Sequence, residues 1–148
     1  ARRALAAGDD EAVPRVCDLA ALPASTAGKI EIETMEEGRD EQVLDHLVRS
    51  AVLTVFRERV RPETLTGVVD AFDEHDPIEI GDDVAAADYV TLLAQMPALA
   101  DPVRQLIGDD QSPALVASAV ELVLEGLHLS KRLNKDAVGG RSQYRARG

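Results

Sequence analysis

SPALVASAVELVLEGLHLSKRLNKD, residues 112–136, reads as one long helix with apolar side chains over most of its circumference. Ser112 stands where it can cap the first turn, and Pro113 fits the first helical position, where a missing N–H costs nothing. Leu115, Val116, Ala119, Val120, Val123, Leu124 and Leu127 then recur in pairs at helical spacing, and Leu122 and Leu129 widen the stripe. What stays polar is a narrow line of Glu121, Glu125, His128 and Arg132, one side chain per turn. A helix this apolar needs neighbours on nearly every other side. It is expected to run over about 113–134 as the buried hub of a mainly α, compact multi-helix bundle.

Working outward, residues 1–7 have helical propensity and stop at Gly8, and a short helix is expected between Glu11 and Leu22, ending before Pro23. Residues 28–35, GKIEIETM, change the period: Ile30 and Ile32 alternate with Lys29, Glu31 and Glu33, the pattern of a half-buried strand. Ile78-Glu79-Ile80 repeats that alternation, so segments 29–34 and 78–80 are expected to pair as a small two-stranded β element against the helices. Val43, Leu44, Leu47, Val48, Ala51, Val52, Val55 and Phe56 form a second strong helical stripe before Pro62. Further helices are expected over 64–73, from Asp82 or Asp83 to Gln95, and over 99–107. Residues 1–136 read as a single helical domain. The segment AVGGRSQYRARG beyond Asp136 has little to bury and reads as a flexible basic tail over 137–148.

The chain has 148 residues, enough for one domain with its own core. Aromatics are only 3% of it, so that core must be built from Leu, Val, Ile and Ala. The formal charge of −11 is uneven, because residues 112–148 hold six Lys or Arg against three Asp or Glu. The body is therefore strongly acidic and lacks both the basic surface and the stacking platforms that nucleic acids require. One cysteine, Cys17, permits no internal disulfide, and no apolar run approaches the roughly 20 residues that span a bilayer. A cytoplasmic protein with neither nucleic acid nor membrane as partner is the expectation. Beginning ARRALAAGDD without Met, the chain reads as a fragment of something longer.

Candidate chemistry is sparse. Ser25-Thr-Ala-Gly-Lys29 lacks the leading glycine and the following Ser or Thr of a phosphate loop. The acidic stretch 73–83 places His75, Pro77 and Ile78 where a calcium loop needs oxygens and glycine. Glu125-Gly-Leu-His128, with Glu121 one turn earlier, matches half of a di-iron ligand set but has no second pair, so a solvated stripe is the preferred reading of these three residues. Cys17 has no neighbouring His or Lys to lower its pKa and reads as a small core residue. Gly126, in mid-helix, points to close approach by another backbone.

Taken in order, Arg2-Arg-Ala-Leu, Ala12-Val-Pro-Arg-Val-Cys-Asp-Leu19, Gly28-Lys-Ile-Glu-Ile-Glu33, Ala51-Val-Leu-Thr-Val-Phe56 and Ser118-Ala-Val-Glu-Leu-Val-Leu-Glu-Gly-Leu127 resemble the C-terminal region, lid and accessory helical domain, of bacterial magnesium-chelatase-like AAA+ ATPases. The resemblance covers residues 1 to about 135. It implies that residues 1–22 continue from the ATPase lid, that Arg2 and Arg3 stand near a nucleotide-sensing position, and that ATP and Mg belong to a core upstream. It also implies a non-catalytic domain, without cofactor or metal of its own, that couples that core to a neighbouring subunit or another protein. A free-standing helical interaction module and a metal-binding bundle enzyme using Glu121, Glu125 and His128 are the alternatives. The acidic faces at 31–41 and 73–83 and the basic tail are the first places to look for a partner surface.

Overall fold

Helix α7, Pro113–Leu129, is the element everything else packs on. Val116, Ala117, Val120, Val123, Leu124 and Leu127 are at most 1% exposed, a burial worth roughly 1.5–3 kcal/mol for each larger side chain. A computed structural model describes residues 2–26 and 39–148. Those residues form a mainly helical fold with one small antiparallel sheet, as the hub helix implied.

Around α7 the chain runs α1 (Arg2–Ala7), a 3-10 turn (Val16–Ala21), α2 (Leu22–Thr26), α3 (Arg39–Arg59), a second 3-10 turn (Pro62–Leu65), α4 (Thr66–Phe72), β1 (Ile78–Ile80), α5 (Ala86–Gln95), a third 3-10 turn (Pro97–Leu99) and α6 (Ala100–Ile107). Two strands follow α7, β2 (Leu133–Val138) and β3 (Arg141–Ala146). The helix expected between Glu11 and Leu22 is a 3-10 turn leading into α2, with Pro23 inside the first turn of α2 instead of beyond a helix end. Neither Asp82 nor Asp83 caps α5. The free N–H of Ala86 is met by Asp9 Oδ1 at 2.7 Å, a cap supplied from 77 residues away.

Two expectations for the C-terminal part are corrected. First, α7 ends at Leu129 and not at 134. Lys131 turns left-handed at φ 60°, and its N–H bonds the His128 carbonyl while the Arg132 N–H reaches back to Leu127, each at 2.8 Å. That paired closure stops a helix and is normally built on glycine. Second, residues 137–148 are not a loose tail: β3 is the central strand of the sheet, in the order β1-β3-β2. Gly139 and Gly140, at φ 59° and 85°, make the tight turn that folds β2 onto β3 with Val138 opposite Arg141. Within the described residues β1 pairs with β3, Ile78 opposite Tyr144 and Ile80 opposite Ser142. The partner expected for it, 29–34, lies outside the described residues.

Ser112 sits at the start of α7 but its hydroxyl makes no cap, and Ser112 Oγ is buried without a hydrogen-bond partner. Gly126 does mark a close approach, by a ring instead of a backbone. A Cβ at this position would overlap the aromatic ring of Phe56 on α3. Gly126→Ala should therefore lower stability by about 1–3 kcal/mol through overpacking, read by chemical denaturation, with Phe56→Leu in the same chain recovering part of the loss. Lys131→Gly relieves a left-handed side chain and should raise stability by about 1 kcal/mol in the same assay.

Candidate functional site

The polar line of α7 faces inward. Glu121 is fully buried and Glu125 is 7% exposed, which corrects the reading of a solvated stripe. Both acids sit inside because donors elsewhere in the chain meet them, as burial of a charge requires.

Glu121 takes the backbone N–H of Cys17 at 3.0 Å, the Tyr89 hydroxyl at 2.7 Å and the Cys17 thiol at 3.7 Å. A guanidinium nitrogen of Arg15 lies 3.7 Å away. Arg15 is itself buried and also donates to the Val84 carbonyl at 2.8 Å and to Asp9 at 2.7 Å, with its guanidinium carbon 5.0 Å from the centre of the Tyr89 ring. Burial, then the Glu121 charge, push the Cys17 thiol up to about 12 and the Tyr89 hydroxyl well above its usual range. Cys17 is thus a thiol held protonated, but it is half-buried and outside the apolar core, which corrects its reading as a small core residue.

One turn on, Glu125 accepts the Lys135 ammonium at 2.7 Å and the Tyr144 hydroxyl. Lys135 and Tyr144 come from β2 and β3, opposite one another in the register. Burial, then Glu125, raise the Tyr144 hydroxyl far above its usual range. His128 completes the turn differently: its Nδ1 lies 3.3 Å from the Leu133 carbonyl and its ring meets Tyr144 edge-on with centroids 6.4 Å apart. The three residues considered as metal ligands are engaged with other partners, Glu121 with Tyr89 and Cys17, and Glu125 and His128 with different parts of Tyr144. Among the described residues no group of three or more His, Cys, Asp or Glu is arranged to hold a metal ion.

Arg3 is held within the N-terminal segment by Asp18 at 3.1 Å, Asp9 at 3.2 Å and the Val13 carbonyl at 2.7 Å. Its side chain is 7% exposed. Arg2 belongs to α1.

Depressions flank this arrangement, two of them walled by the N-terminal segment. An open cavity of about 420 Å³ lies where the N-terminal segment, α3 and the β2–β3 hairpin meet, with Cys17, Asp45, Arg49, Glu125 and Lys135 on its walls. An apolar groove of about 340 Å³ runs between α3 and the N-terminal segment over Val16, Leu19, Leu22, Ala51, Val55 and Leu122. With the glutamates turned in, Leu115, Leu122 and Leu129 are left only partly buried, and Leu122 lines this groove.

The basic C-terminal stretch and the acidic 73–83 face are bound to one another. Arg141 clamps Asp83 through Nε at 3.1 Å and a terminal nitrogen at 2.7 Å, and lies 3.4 Å from Glu79. Arg145 pairs with Asp136 at 2.7 Å. The other acidic face considered, 31–41, lies almost wholly outside the described residues.

Sequence reading passed over Arg15, Tyr89, Lys135 and Tyr144. Tyr89 and Tyr144 are half of the aromatics in the chain, and a buried tyrosine hydroxyl needs an acceptor, which is the signal that points back to the two glutamates. The Gly139-Gly140 pair was the signal for the hairpin.

No family model, curated protein or solved structure matches the chain. No helix of the described residues is long and apolar enough to cross a membrane.

The hydrogen bond from Arg141 holds Asp83 below its ordinary 3.8. A depressed carboxyl stabilises the fold above its unfolded pKa and loses that contribution as pH falls through the lower, folded value. NMR titration should place the Asp83 midpoint below 3.8, and Arg141→Gln should return it to the ordinary range.

Proposed function

We propose that these 148 residues are the non-catalytic C-terminal helical domain of a magnesium-chelatase-like AAA+ ATPase, coupling an upstream nucleotide-binding core to a partner or neighbouring subunit. ATP and Mg are bound by that core. The order of the resembling blocks along residues 1–135 is one support. The observation that carries the proposal is the attachment of residues 2–22 to the hub: Cys17 and Arg15 converge on Glu121, a fully buried acid of α7. A segment continuing from an ATPase lid and lashed to the central helix transmits lid position to the rest of the domain. In this reading Arg3 is held by Asp9 and Asp18 within the N-terminal segment, and Arg2 and Arg3 stand near the nucleotide-sensing position that the resemblance implies.

A free-standing helical interaction module is the second reading, favoured by the apolar groove and by Val55, 45% exposed at its edge. The reading frame upstream of Ala1 separates the two. The proposal expects a Walker lysine there, no ATP·Mg binding by residues 1–148 in calorimetry, and a fall of at least about fivefold in partner- or ring-stimulated turnover of the parent when these residues are removed. A parent without a Walker motif, or ATP bound by these 148 residues alone, overturns it.

A further inference from the structure

We infer that residues 2–26 are a strap that docks on the α5–α7 face and releases from it as one unit while the core stays folded, with Glu121 as the carboxylate that receives it. The inference rests on contacts within the described residues and does not depend on the ATPase reading.

Two observations carry it. First, the core closes without the strap. The connected cluster of buried apolar residues runs from Phe56 to Tyr144 and contains no residue of 2–26. The 3-10 turn Val16–Ala21 has no buried residue, and Ala4 is the one buried hydrophobic side chain described in the strap. A segment with few buried apolar contacts sits at the low end of local stability, so it opens before the core does.

Second, the strap is knit to itself and meets the α5–α7 face through polar bonds, with half-buried Val16, Leu19 and Leu22 lining the groove beside α3. Internally Arg3 bridges Asp9 and Asp18, and Asp18 accepts the Arg15 N–H at 2.8 Å. Externally the strap is attached by polar bonds, from Arg15 to Val84, Ala86 to Asp9, Ser118 to the Pro14 carbonyl at 2.7 Å, and Cys17 to Glu121. On release each of these groups gains water in exchange, and the apolar surface uncovered includes the Tyr89 ring beneath Arg15. What release uncovers is Glu121, the Tyr89 hydroxyl and the wall of the groove at Leu122.

Cys17 reports the two states. Docked, its thiol is held protonated by burial and Glu121; released, it becomes an ordinary surface thiol. Iodoacetamide labelling of the full 148-residue chain at pH 8, followed by mass spectrometry alongside hydrogen exchange, measures both. Cys17 should label more slowly than an unfolded control and far faster than Val120 and Leu124 amides exchange. Glu121→Gln should raise the Cys17 rate about tenfold without hastening those amides. Asp18→Asn loosens the strap from within at a partly exposed position, so it keeps the experiment decisive if the buried substitution prevents folding. Labelling in step with the α7 amides overturns the inference, because the strap would then leave only on global unfolding. Labelling at the rate of a free thiol, indifferent to both substitutions, overturns it from the other side, because the strap would never be docked.

Discussion

Two carboxylates one turn apart on a buried helix set the terms for the rest of this molecule. Glu121 and Glu125 lie among Val120, Val123 and Leu124, where an unmet charge is strongly destabilising. Each is met by donors brought from opposite ends of the chain: the N-terminal segment and α5 supply Glu121, the β2–β3 hairpin supplies Glu125. The helix thus fixes both ends of the chain to one side of itself. A buried ion pair adds little net stability over an apolar pair of the same shape, but it specifies which segment goes where. In a core with so few aromatics, that specificity is carried by Tyr89 and Tyr144, each burying a ring and aiming its hydroxyl at one of the two acids.

The two attachments differ in kind. The hairpin contributes Leu133 and Tyr144 to the apolar core and β3 to the middle of the sheet, so it is part of the folded body. The N-terminal segment contributes polar bonds and almost no apolar burial, so its attachment is local and separable. The open cavity lies between them and the apolar groove lies beside α3, both walled on one side by the N-terminal segment. The position of that segment consequently determines what surface the domain offers. The two interior acids are engaged as anchors, and the proposal of a coupling domain rests on that attachment.

The sequence by itself determined the hub. The apolar spacing of Val116, Val120, Val123, Leu124 and Leu127 admits only a helix covered on several sides, and the period of α3 and the alternation of β1 were legible for the same reason, since periodicity is a local property. It also pointed to Gly126 as a site of close approach. Only the tertiary structure decided which way the glutamates face, where α7 stops and what the last residues do. A glutamate on a helix reads as solvated until a tyrosine 32 residues earlier or a lysine 10 residues later is known to reach it. A lysine in the left-handed region is outside what propensity anticipates, and the mostly polar strand Arg141–Ala146 is held by ladder bonds to β1 and β2 that its own pattern does not announce. Burial of charge is a property of pairs, and pairs distant in sequence exist only once the chain has folded.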